Sequence, residues 1–227
     1  MQISKTTRDR LDGSLAKVGK ASVFVMFGLV LSAVFGLIMR ILFTRTLTKD
    51  EVGLLYYSLM LVMVTTGFTP LGMGEGLARF IGYAGEKGAE RRIREAFSFA
   101  FTVTGVISLF ISLGLLVLTP LIVDITAFER QPFMMALVLM IASLPSLSLR
   151  TILVSYTRGL GQVKPRVLFS DIAPSFLAIS LYGGALLFGW GFAGALLSVV
   201  IGNIIATLAL LFWVVWKHPG GLKLHFR

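Results

Sequence analysis

The sequence predicts an all-α integral membrane protein, a bundle of six transmembrane helices. Three observations predict it. Of 227 residues, 56% are hydrophobic and only 14% are charged, whereas a globular domain carries about 25% charged residues. The mean hydropathy is +0.87. Long charge-free runs recur, and about 20 apolar residues span the hydrocarbon core, where a single charge costs about 2.5–3.5 kcal/mol or more.

Ala21 to Met39, Val52 to Gly74, Ala96 to Val123 and Gln131 to Leu149 are such runs, each enough for one span. The run from Ile172 to Trp216 is 45 residues, roughly twice what one helix rising about 1.5 Å per residue needs. It must turn back, and Gly189-Trp190-Gly191 offers two glycines for a tight turn with a tryptophan suited to the headgroup layer. The spans fall at about 21–43, 49–72, 95–123, 132–156, 167–188 and 192–216 of a bundle covering 21–216. Residues 1–20 place Leu11, Leu15 and Val18 on one face of a basic amphipathic arm suited to the inner leaflet. Residues 217–227 form a tail. The apolar run of span one exceeds a signal-peptide core and no small-residue cleavage site follows it, so it is expected to stay as an anchor.

Local signals fit these elements. Thr48 and Glu51 have capping-box spacing, which starts span two at Thr48. Pro70, Pro120, Pro145 and Pro174 predict kinks or breaks, because each removes a backbone donor. Small residues recur every fourth position at Gly28, Ser32 and Gly36, at Thr104, Ser108 and Ser112, and at Gly194, Ser198, Gly202 and Ala206. Such stripes let helices pack closely in lipid. Glu86 to Glu95 mixes both signs at i,i+4 and reads as a solvated extension of span three.

The net charge of +10 would point to nucleic acid in a soluble protein. Here it is a topology signal. Sixteen basic residues fall in the arm, in the segments after spans two and four, and in the tail, against Arg45, Lys49 and Arg130 on the opposite side. The positive-inside rule therefore places both termini in the cytoplasm, with the protein in the cytoplasmic membrane and no nucleic acid as partner.

Catalytic chemistry is sparse. There are no cysteines, and His218 and His225 both lie in the tail. No carboxylate cluster or Ser/His pair is evident, so no catalytic residue, metal site or cofactor is expected. What remains is a set of charges beside apolar segments: Arg40 in span one, Glu75 and Arg79 at the inner end of span two, Arg150 in span four and Asp171 at the start of span five. Such residues face a cavity, a partner or water. Bland readings stand beside the functional one. Arg40 could snorkel, Glu75 and Arg79 could pair at i,i+4, Arg150 and Asp171 could pair, and Asn203 suits an interhelical hydrogen bond. The functional reading is an arginine-lined cavity that favours an anionic headgroup, with Arg40, Arg79, Arg150 and Glu75 as substrate-binding candidates and Asp171 as an ion-coupling candidate.

Three strings carry a family resemblance. Residues 45–54, Arg-Thr-Leu-Thr-Lys-Asp-Glu-Val-Gly-Leu, resemble a pattern of polysaccharide flippases in the multidrug/oligosaccharidyl-lipid/polysaccharide exporter superfamily. Residues 71–81, Leu-Gly-Met-Gly-Glu-Gly-Leu-Ala-Arg-Phe-Ile, resemble the inner end of their second helix, and residues 156–164, Tyr-Thr-Arg-Gly-Leu-Gly-Gln-Val-Lys, resemble their basic loop between helices four and five. The resemblance implies a transporter that moves a lipid-linked oligosaccharide outward by alternating access, with two six-helix lobes around a cationic cavity. Arg40 and Arg79 match basic positions of that family; Arg150 and Glu75 rest on the physical argument alone. Six helices correspond to the first lobe, and the tail resembles the start of an inter-lobe linker, so the expected partners are the bilayer, a lipid-linked glycan, and a second lobe or a second copy. The alternatives are a cation-coupled drug exporter of the same superfamily, which would need Asp171 or Glu75 for its ion, and a non-transporting membrane assembly subunit.

Overall fold

A computed structural model of the chain describes residues 5–86, 89–126 and 128–217. Among these residues there are helices and no strand: α1 Lys5–Thr46, α2 Lys49–Phe68, α3 Met73–Glu86, α4 Glu90–Ile125, α5 Arg130–Ala142, α6 Leu144–Gly159, α7 Val163–Arg166, a π-segment Val167–Ile172, α8 Ala173–Leu187 and α9 Gly191–Lys217. Six stretches are long and apolar enough to cross a membrane: Ser22–Thr46, Lys49–Phe68, Glu90–Ile125, Arg130–Gly159, Val163–Leu187 and Gly191–Lys217. The protein is an all-α, multi-pass membrane bundle. We call the end that holds Arg91, Arg158, Lys164 and Lys217 the basic end and the other the far end. The backbone of residues 5–20 is helical and continuous with the first span. The side chains of Leu11, Leu15 and Val18, on which the amphipathic reading of the arm rests, lie outside the described residues, as does the tail from 218.

The turns and caps form where the local chemistry asks for them. The Thr48 hydroxyl accepts from the Glu51 amide at 3.3 Å while the Thr48 amide donates to the Glu51 carboxylate at 2.8 Å, which is the capping box in full. Gly189 and Gly191 take φ of 72° and 39° and turn α8 into α9. Span two is expected to run to residue 72, but α2 ends at Phe68. Pro70 has no amide hydrogen, and Leu71 and Gly72 turn left-handed, with φ of 47° and 76°, before α3 resumes. Pro145 and Pro174 sit in the first turns of α6 and α8, just after interruptions, whereas Pro120 is carried inside an unbroken α4. Beyond the third span, α4 is roughly 54 Å long against a hydrocarbon core of about 30 Å. Its first turns belong to the basic end, where Arg91 pairs with Glu95 at 2.9 Å.

Two apolar cores are stacked along the bundle. The far-end core gathers Phe43, Leu55, Phe133, Leu137, Tyr182 and Leu196, and the basic-end core Ile81, Phe97, Ile152, Leu153 and Leu210. Between them in chain order lie buried hydroxyls: Thr104 and Ser108 on α4, Ser148 on α6 and Thr207 on α9. Ser108 and Thr207 donate to the preceding turn of their own helix, Thr207 to Asn203 at 2.9 Å, whereas the Thr104 and Ser148 hydroxyls have no hydrogen-bond partner. Asn203, expected to bond across helices, likewise donates to Val199 of its own helix at 2.9 Å. An amide that reaches its own carbonyl needs no partner helix.

The small-residue stripes are contact lines, except at Gly36, which has open space around it. A Cβ on Gly202 would lie 3.1 Å from the Ala178 nitrogen and 3.2 Å from the Pro174 carbonyl, so α9 lies directly on the backbone of α8. Ser112 on α4 donates to the Ile141 carbonyl at 3.0 Å, the acceptor that Pro145 leaves without its usual partner. Gly202→Ile should therefore lower stability by roughly 1–3 kcal/mol, read as thermal unfolding in detergent, while Gly114→Ile, with nothing within 4 Å of its Cβ, should leave it unchanged.

Candidate functional site

Charged side chains from four elements converge at the basic end. Arg158, near the end of α6, donates to the Glu75 carboxylate of α3 at 2.6 Å. This corrects the i,i+4 pairing expected of Glu75 and Arg79. The parallel packing of α3 on α6 brings Arg158 to the same level, and close approach at Gly159, whose Cβ would lie 3.0 Å from the Ala78 carbonyl, leaves no room for the helices to separate. Arg79 of α3 and Arg166 of α7 lie within electrostatic reach of the same carboxylate. Asp171, in the π-segment, is within reach of Arg166 and of Arg150 on α6, with no direct ion pair. One guanidinium nitrogen of Arg150 is buried without a hydrogen-bond partner.

Four guanidinium groups thus surround two carboxylates, leaving an excess of two positive charges. Arg166 links the two halves. The Arg158 guanidinium, by its hydrogen bond and its charge, holds the Glu75 carboxyl below the usual carboxylate range, against some desolvation and with still smaller contributions from Arg79 and Arg166. Both partners are substantially exposed, so solvent screens the pair, and it orients the side chains more than it stabilises the fold.

Of the residues singled out in the sequence, the structure brings together Glu75, Arg79, Arg150 and Asp171. It does not bring in Arg40. Ser32 is level with Asp171, to whose carbonyl it donates at 2.8 Å; Arg40 lies eight residues on, roughly 12 Å further toward the far end, on an exposed face of α1. Sequence reasoning did not single out Arg158 and Arg166 as site residues: both counted toward the topology, and Arg158 also fell in the loop string 156–164. Their i,i+8 spacing in 158–166 gave no cue, because the positive φ of Gly161, 68°, reverses the chain between them. Among the described residues no group of three or more His, Cys, Asp and Glu could hold a metal.

A multi-pass helical membrane protein with a cationic network at one end is the class these features define. Within it, the family described as "Polysaccharide biosynthesis protein" matches residues 18–226, and the chain belongs to that family. It is similar to stage V sporulation protein B of Bacillus subtilis (strain 168), at 21% identity over 213 residues, covering 91% of this chain and 41% of the relative. The chain thus spans about two fifths of that relative's length. No solved structure matches it.

Because Glu75 is held ionised by Arg158, the contribution of the pair is complete at neutral pH, above the ordinary carboxylate range. It fades only as pH falls through the lowered value of the folded state. Arg158→Ala should return the Glu75 titration, followed by isotope-edited infrared spectroscopy, toward the ordinary carboxylate range; an unmoved titration would remove Arg158 as the cause.

Proposed function

We propose that the chain is one six-helix lobe of a transporter that moves a lipid-linked oligosaccharide or polysaccharide precursor across the cytoplasmic membrane by alternating access, with both termini in the cytoplasm. The observation that carries this reading is the arginine excess at the basic end: Arg79, Arg150, Arg158 and Arg166 against Glu75 and Asp171. Guanidinium groups pair with phosphate oxygens in bidentate fashion and more strongly away from bulk water. The unpartnered nitrogen of Arg150 is a donor awaiting an acceptor. Family membership supports a role in polysaccharide biosynthesis, and the network supports an anionic cargo presented from the cytoplasmic leaflet.

The reading treats the work as binding and movement, with no chemical step and no cofactor. A cation-coupled exporter fits less well, since the carboxylate it would use, Asp171, already faces the charges of Arg150 and Arg166, which oppose a bound cation. Arg40 supports a second lobe or a second copy. It is an exposed arginine within a span and lines a cavity only if another body closes over α1.

Removing one arginine from such a site costs a charge-assisted hydrogen bond, about 1.5–3 kcal/mol. Arg150→Ala and Arg166→Ala should each reduce surface glycan by roughly tenfold or more, with Arg79→Ala and Arg40→Ala also reducing it, at normal membrane insertion. Unchanged glycan in all four would overturn the reading, and drug sensitivity that depends on Asp171 would favour the exporter. Orientation is tested separately. A cysteine at Arg91 or Lys164 should react with an impermeant maleimide only in permeabilised cells, and one at Arg130 in intact cells.

A further inference from the structure

Span five is interrupted by a π-segment, and its neighbours treat the two sides of that interruption differently. The Ala173 amide reaches back five residues to the Leu168 carbonyl, and Pro174 then removes the next donor. Single π-turns inside α-helices mark functional positions and loosen the ladder locally. Beyond it, α8 is fixed on α9 by the close approaches at Gly194 and Gly202. Before it, α7 is a four-residue piece between the π-segment and Gly161, whose left-handed backbone ends the connection to α6.

Of the helices that α7 and the π-segment meet, α1 is the main one, with α6 beside α7 and with α8 and α9 beside the π-segment. Gly28 meets Val167, the Ser32 hydroxyl donates to the Asp171 carbonyl at 2.8 Å, and Phe43 meets Tyr182 with ring centroids 5.0 Å apart. The three pairs are each 139 residues apart, which means that α1 and span five run parallel and in step. Otherwise α1 is mostly exposed and meets α2 only sparsely. Arg166 and Asp171 bracket the interruption, and they are the two groups that join span five to Glu75 and Arg150.

We infer that Ser32 is a positioning residue whose hydroxyl pins α1 to the π-segment, so that the basic half of α1, α7 and Arg166 swing together about that segment against a fixed body of α3, α4, α6, α8 and α9. The swing carries Arg166 toward or away from Glu75 and Arg158, opening and closing the cationic network. The motion does not depend on which cargo the network binds, so it stands or falls apart from the transport reading.

The chain has no cysteine, so spin labels at introduced cysteines report without background. In the full chain in lipid bilayers, electron double resonance between Ser22→Cys on α1 and Gly82→Cys on α3 should give two distances, and between Ser22→Cys and Lys164→Cys on α7 one narrow distance. Ser32→Ala should broaden the narrow α1 to α7 distance, and Ser32→Thr, which keeps the hydroxyl, should restore it. A single α1 to α3 distance overturns the swing, and an α1 to α7 distance untouched by Ser32→Ala overturns the role of Ser32. If Ser32→Ala fails to insert, the two wild-type pairs decide, because two distances for the α1 to α7 pair would also refute a common unit.

Discussion

A bilayer offers no water to a stranded backbone group, and that constraint shapes this molecule throughout. Every interruption of a span must satisfy its freed carbonyls from within. Pro145 withholds a donor from Ile141, and Ser112 of α4 supplies one at 3.0 Å. At the π-segment, Ser32 of α1 donates to the Asp171 carbonyl, next to the Ser170 carbonyl that Pro174 leaves without its usual donor. The hydroxyl residues at these points therefore link spans, and their positions decide which helices are tied together. Thr46 of α1 likewise meets the Tyr182 hydroxyl of α8 at 2.6 Å, whereas other hydroxyls bond only to their own helix, as Ser58 does to Leu54 and Thr66 to Val62, and tie nothing.

The same constraint explains why the charges gather where they do. Arginine at mid-membrane is costly, whereas at the basic end α3, the first turns of α4 and the end of α6 enclose an apolar core of their own, with Ile81, Phe97 and Ile152 almost fully buried. That core positions the helix surfaces from which Glu75, Arg79 and Arg158 project. The ion pair then sets side-chain direction on a frame that packing has already fixed. Charge follows packing here.

Much of this was legible in the sequence. The number of spans follows from charge-free runs, the glycine turn at 189–191 from a run too long for one helix, and the capping box from Thr48 and Glu51. The stripe at Gly194 to Ala206 follows from residue size alone. What was not legible depends on contacts between elements distant in sequence. Local spacing offered Arg79 as the partner of Glu75, and only the packing of α3 on α6 selects Arg158, 83 residues away. Arg166 enters because α7 folds back after Gly161. The π-segment has no sequence period of its own; Pro165 and Pro174 mark a disturbance without stating its form. Asn203 was misread for a related reason, since an i−4 carbonyl lies in reach of every helical amide and the sequence does not show which acceptor is nearer.

Two interhelical hydrogen bonds of the same kind have different consequences, and the difference lies in what surrounds them. Such bonds in membranes average about 0.6 kcal/mol, close to thermal energy, so neither holds two helices together by itself. Around Ser112, which is almost fully buried, α4 lies against α5 and α6 along extended contacts, and opening that bond would require parting the packed surfaces as well. Around Ser32, α1 is half-exposed and rests chiefly on the π-segment and α8, so the Ser32 bond and the Gly28 approach to Val167 one turn away are among the few ties that join α1 to the rest. The Ser112 bond is therefore one tie among many between its helices, whereas the Ser32 bond is one of few, and it joins α1 to a backbone segment whose ladder is already loosened.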